Sequence, residues 1–216
     1  METHTARYAV MEDVAYLRMA FLSVAALVAS IGLSIVAGQF STAHASNSVE
    51  DLILSNTPVL DLDVLFVAAT ILFGSFVVLI ALTSPRRLPF MFFSLAIFFT
   101  IRSGFVTLTH IAPFPAPTSD DFGTTITRYF FGADLFFSGH TGSPFLMALL
   151  FWDEQVLRAI FLAWSIFFAA VVLLGHLHYS IDVASAYFIT YAIYALCLRV
   201  LPRSHELFRS APTPAI

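Results

Sequence analysis

The chain has 216 residues, of which 59% are hydrophobic and 11% charged, and its mean hydropathy is +0.87. An average soluble domain is about 45–50% apolar, so this composition excludes an ordinary soluble domain and leaves an integral membrane protein. The net charge of -4 comes with ten basic residues that are all arginine, and no nucleic-acid partner is expected.

In chain order, six apolar stretches approach the roughly 20 residues that a bilayer core about 30 Å thick requires. They run Met19–Gly38, Val64–Leu82, Pro89–Ile111, Leu135–Trp152, Val156–Gly175 and Tyr179–Leu201, the fourth being the shortest. Irregular backbone cannot face lipid, and these lengths exclude a barrel of strands about ten residues long. The expectation is an all-α, polytopic membrane protein, a single domain over 1–216 made of six transmembrane helices.

Thr42-Ala43-His44-Ala45-Ser46, after the first stretch, mimics a signal-peptidase site. The stretch is long, and its leader carries Glu2, Glu12 and Asp13, which argues for retention. Gln39–Asp63 reads as a solvated loop rather than a short interfacial helix. Asp61 and Asp63 are expected to cap the second helix. The third helix holds Arg102, placed about 14 Å below the end at Ile111 by helical rise. The lone Cys197 permits no internal disulfide.

Arginine placement sets the topology. Arg7 and Arg18 precede the first helix, Arg86 and Arg87 join the second to the third, and Arg158 opens the fifth. Arg199, Arg203 and Arg209 close the chain, whereas the loop between helices one and two has no basic residue and the next exposed one has only Arg128. The positive-inside rule then makes both termini cytoplasmic and the starts of helices four and six exoplasmic.

Two strings at those starts carry chemistry: Ser138-Gly139-His140-Thr141 and His178-Tyr179-Ser180-Ile181-Asp182. Histidine exchanges protons near neutral pH, and ionisable groups at membrane depth are costly enough to be functional candidates. His178 and Asp182 are spaced i, i+4, so the carboxylate can orient one ring nitrogen and leave the other for attack. Alone, the pair reads equally well as a polar pin between helices. Gly139 lets a phosphate or a neighbouring helix approach the backbone, and a helix start favours anions.

Arg102 can clamp a phosphate or pair with Asp134 or Asp182. Asp134 can equally be the N-cap of helix four. Tyr129, Phe137 and Tyr179, with Phe130, Phe131 and Phe136, could cage a quaternary ammonium or serve as interfacial anchors. His176 and His178 point apart on a helix, so no metal site is expected, and no cofactor.

Asp134-Leu135-Phe136-Phe137-Ser138-Gly139-His140-Thr141 resembles the aspartate-to-Ser-Gly-His-Thr string of the sphingomyelin synthase-like branch of the lipid phosphate phosphatase and phosphotransferase superfamily. His178–Val183 with Ala186–Thr190 resembles that family's second string. Ile101-Arg102 through Thr107-Leu108-Thr109 to Pro113-Phe114-Pro115 resembles its arginine-bearing third helix and proline loop. The resemblance spans about 101–190. It implies His140, His178 and Asp182 as a catalytic triad, supported by Arg102 and Asp134. It also implies an acid in the preceding loop, shorter here, where neither Asp120 nor Asp121 is singled out.

The phosphatase branch's Lys-x6-Arg-Pro string is missing, and Val171-Val172 stands where that branch has Ser-Arg. A doubly charged phosphomonoester wants several cations, so a phosphodiester is the expected substrate. The implied partners are membrane lipids, a glycerophospholipid donor with ceramide or water as acceptor; a homo-oligomer stays open. The competing readings are a phosphatidic acid phosphatase and a non-catalytic lipid-binding protein. An intramembrane serine protease using Ser138 is disfavoured, because Phe136 stands where Gly-x-Ser-Gly needs glycine.

Overall fold

A computed structural model describes residues 9–115 and 135–211, and no strand occurs among them. Seven α-helices are described: α1 (Val14–Ala43), α2 (Asp63–Thr83), α3 (Leu88–Leu108), α4 (Gly139–Leu150), α5 (Gln155–Leu174), α6 (Ser180–Val200) and α7 (Pro202–Arg209). Five of them, α1, α2, α3, α5 and α6, are long and apolar enough to cross a membrane. Several such helices in one chain make a multi-pass membrane protein.

The fourth apolar stretch departs from expectation. Its helix, α4, has 12 residues, about 18 Å of rise against the roughly 30 Å of a bilayer core. Gly139, Gly142 and Pro144 make its first turns poor helix, and Pro144 has no N–H to give the His140 carbonyl. All of α4 except His140 and Phe145 is buried, so its apolarity matches protein neighbours rather than lipid.

Close packing of α1 on α3 follows from a heptad of mostly small buried residues, Tyr16, Ser23, Ser30 and Ala37. Small side chains let two helices approach where lipid supplies no hydrophobic drive. Ser34 and Ser103 share a 2.9 Å hydroxyl bond across that seam. Elsewhere bulk fills the core: Phe90, Phe98, Phe137, Phe151 and Phe161 are buried in one cluster. Phe66 and Phe168 anchor a second, between α2 and α5.

The molecule has two chemically distinct ends. At one, Arg87 pairs with Glu154 and stands 5.2 and 5.3 Å over the rings of Phe151 and Phe208, joining the start of α3 to the end of α4 and to α7. At the other lie the starts of α4 and α6. Because α3 stops at Leu108, Arg102 is six residues, about 9 Å, from that helix end, shallower than the sequence suggested.

The segment between α1 and α2 is a largely exposed loop, as expected, and it also straps this second end. Ser46 bonds the His110 carbonyl through both its N–H (2.7 Å) and its hydroxyl (2.7 Å), and Leu60 N–H reaches Leu174 O at 2.9 Å. Asp51 is buried against the start of α6. Leu62, not an aspartate, is the N-cap of α2, with no side-chain bond; Asp63 lies in the first turn, where it still complements the helix dipole.

Candidate active site

The α5–α6 turn delivers the second histidine. α5 closes through Gly175, and His176 then adopts φ 52°. His176 N–H bonds Leu173 O at 3.1 Å and Leu177 N–H bonds Val172 O at 2.8 Å, the paired closure of a left-handed helix end. The chain reverses within five residues, and buried His178 stands just before α6.

His178 Nδ1 lies 3.0 Å from the Leu135 carbonyl oxygen and 3.6 Å from Asp182 Oδ2. The hydrogen bond that fixes the ring is therefore to a main-chain oxygen, with the carboxylate as a close electrostatic partner. The sequence reading had the carboxylate accept that bond. It is displaced because Asp182 Oδ2 accepts Tyr179 N–H at 2.9 Å, capping α6. In the tautomer that donates from Nδ1, the ring's lone pair is on Nε2.

A backbone bond from Ser138 N–H to Asp182 O, 3.0 Å, ties the first motif to the second. Phe137 takes φ 28°, and its carbonyl accepts Arg102 Nε–H at 3.0 Å. Arg102 then packs over Gly139, where a Cβ would meet Nε at 3.0 Å and Cδ at 3.2 Å. A side chain at position 139 would press the Arg102 side chain back by a few tenths of an ångström, so glycine favours this close approach to the start of α4.

Ser138 Oγ accepts Thr141 N–H at 3.3 Å, so the cap of α4 is Ser138 rather than Asp134. Thr141 O accepts the Ser165 hydroxyl at 2.8 Å, holding α4 to α5. The His140 ring lies 4.4 Å from that of Phe66 and 5.6 Å from that of Phe168, within electrostatic reach of His178 and Arg102.

His140, His178, Asp182 and Arg102 thus converge at the starts of α4 and α6. Asp134 and Tyr129, with Phe130, Phe131, Asp120 and Asp121, lie outside the described residues. Phe137 and Tyr179 are brought close but are buried. Phe137 packs 5.5 and 5.8 Å from Phe98 and Phe105, and the Tyr179 hydroxyl donates to Ala112 O at 2.8 Å, so both are committed to structure rather than to a cage. His176 meets Thr57 Oγ1 at 3.4 Å and the Phe114 ring at 5.3 Å, and His110 stacks near His44 at 5.9 Å, both beside the centre rather than in it.

Sequence reasoning missed the Leu135 carbonyl, which carries no side-chain signal. It also missed Phe66 and Phe168, two of 24 phenylalanines with nothing local to single them out.

Residues 132–198, which hold both histidine motifs, match the family described as PAP2 superfamily C-terminal. The match supports a PAP2-like superfamily, whose members are generally membrane phosphatases and phosphotransferases. No curated protein and no solved structure matches the chain.

Proposed function

We propose that the protein is a phospholipid headgroup phosphotransferase or phospholipase C-type enzyme, acting on a glycerophospholipid such as phosphatidylcholine or phosphatidylethanolamine. One observation carries this reading: His178 and Arg102 are fixed beside the start of α4 by bonds to the Leu135 and Phe137 carbonyls, and a bond from Ser138 N–H to Asp182 O ties that start, with His140 in its first turn, to the second motif. Backbone N–H groups at a helix start and a guanidinium suit a phosphate oxygen.

Among the described residues, Arg102 is the cation at the site, which suits the single negative charge of a phosphodiester better than the nearly double charge of a monoester. In the first step His178 Nε2 bonds to phosphorus, the bond from phosphorus to the diacylglycerol oxygen breaks, and His140 gives that oxygen its proton. Asp182, 3.6 Å from Nδ1, offsets the positive charge of the phosphorylated ring. In the second step His140 removes the proton of an incoming hydroxyl, of ceramide or of water. That oxygen bonds to phosphorus as the nitrogen–phosphorus bond breaks. Arg102 stabilises the transferred oxygens in both steps.

The arginine distribution supports cytoplasmic termini and an exoplasmic centre, periplasmic if the membrane is a bacterial inner one. The family match also accommodates a phosphatidic acid phosphatase. Diacylglycerol release in nanodiscs, from phosphatidylcholine, phosphatidylethanolamine or phosphatidic acid, with and without ceramide, decides between them. Release from a diester is expected, and dependence on ceramide marks a transferase. Release from phosphatidic acid alone establishes the phosphatase, and no release overturns both.

A further inference from the structure

Among the described residues outside the histidine centre, the most heavily bonded buried carboxylate belongs to Asp51, in the strap between α1 and α2. Its Oδ1 accepts Ile53 N–H at 2.9 Å and Leu54 N–H at 3.1 Å, which closes a local turn. Its Oδ2 crosses 129 positions of chain to accept Ser180 N–H at 2.7 Å and the Ser180 hydroxyl at 2.8 Å. A turn needs only the first pair. The second pair reaches the first residue of α6, two positions beyond His178.

We propose that Asp51 is a positioning residue of the histidine centre, fixing the start of α6 and through it the placement of the His178 ring. The proposal rests on the reading of His178 as the attacking group. Tyr179, between His178 and Ser180, is pinned by the same strap: its hydroxyl accepts Val49 N–H at 3.2 Å and donates to Ala112 O at 2.8 Å. His178 is thus held on one side by Leu135 O and on the other through two residues anchored by the strap. Burial pushes the Asp51 carboxyl up, but its bonds from Leu54, from the Ser180 backbone and hydroxyl, and from Ile53 outweigh that and hold it below the usual carboxylate range. The group therefore stays ionised and answers the positive end of α6. Nucleophilic attack depends on such placement, because an error of about 1 Å can cost on the order of 100-fold in rate.

The test uses the full chain in nanodiscs as wild type, Asp51→Asn and Ser180→Ala. Asparagine keeps the shape but turns an NH2 against N–H donors, whereas Ser180→Ala removes one bond of four and guards against a misfolded first variant. Turnover, KM, thermal midpoint and carbethoxylation of His178 by diethyl pyrocarbonate, read by mass spectrometry, are measured together. Asp51→Asn is expected to lower kcat about tenfold or more with KM within about twofold, and to change the His178 modification rate severalfold while that of His205 is unmoved. Ser180→Ala should shift both readouts the same way by about two- to fivefold. A lower thermal midpoint with wild-type kcat and wild-type His178 modification would reduce Asp51 to a structural clamp and overturn the proposal. If the wild type turns over no lipid, the reading of the centre fails, and the modification rates alone still decide whether Asp51 places His178.

Discussion

At the start of α4 the capping group is the neutral Ser138 hydroxyl, and the Arg102 side chain lies over Gly139. At the start of α6 the caps are two carboxylates, Asp182 on Tyr179 N–H and Asp51 on Ser180 N–H. Each helix start carries roughly half a positive charge. In α6 the protein has already answered that charge, whereas in α4 a guanidinium adds to it. Under the proposed function, an incoming phosphate is drawn to α4, and the histidine beside α6 stands among acids that favour a positively charged, phosphorylated ring. On that same proposal, two similar-looking Ser- and His-bearing helix starts divide the work, one binding the anion and the other supplying the nucleophile.

Removing the proposed nucleophile should have the largest effect. His178→Ala should lower diacylglycerol release at least about a thousandfold while leaving lipid binding intact, measured by turnover and by retention of a non-hydrolysable phosphodiester lipid. Retained turnover would make α4 the seat of both functions. Next in size is Arg102→Lys, which keeps the charge but loses the planar fork that bonds Phe137 O while covering Gly139. About a hundredfold loss in kcat/KM is expected. A loss under threefold would mean that charge alone, not its placement at α4, draws the phosphate.

How far the sequence revealed this arrangement varied with the kind of contact. Hydropathy located α2 within one residue at each end, as Val64–Leu82 against Asp63–Thr83, because lipid on most sides demands an unbroken apolar run. The same signal overran α4, as Leu135–Trp152 against Gly139–Leu150, since a helix enclosed by protein is as apolar as one enclosed by lipid. The grouping of His140, His178 and Asp182 was legible from spacing and from their positions at the starts of apolar runs, and Arg102 from being a charge inside an apolar helix. The acceptor that orients His178 was not, because a main-chain oxygen at Leu135 is available to any residue type. Asp51 escaped too: its role depends on a strap whose contacts lie 129 positions apart, and no local pattern encodes them.

For its start to meet Arg102, α4 must seat deeply in the bundle, and Gly142 sets that depth. A Cβ there would come within 2.8 Å of Phe98 Cζ and of Thr190 Oγ1. The phenyl ring is fully buried and cannot swing away. Gly142→Ala should cost about 1–3 kcal/mol, read as a lower thermal midpoint in detergent, with activity falling as the helix start is pushed off the guanidinium. An unchanged midpoint would show that α4 has slack at this crossing.

The smallest effect separates cap from charge. Ser138 is fully buried, and its hydroxyl accepts Thr141 N–H at a long 3.3 Å. Ser138→Ala should cost about 1 kcal/mol of stability, as loss of a neutral helix cap does. Its main-chain bonds, N–H to Asp182 O and O to Gly142 N–H, survive the substitution, so the two motifs stay joined. The charge at the start of α4 is untouched, and KM and kcat should remain within about twofold of wild type. A large rise in KM would place the hydroxyl on the substrate phosphate and make the cap part of the binding site. Complete loss of turnover would instead make Ser138 the nucleophile and remove His178 from that role.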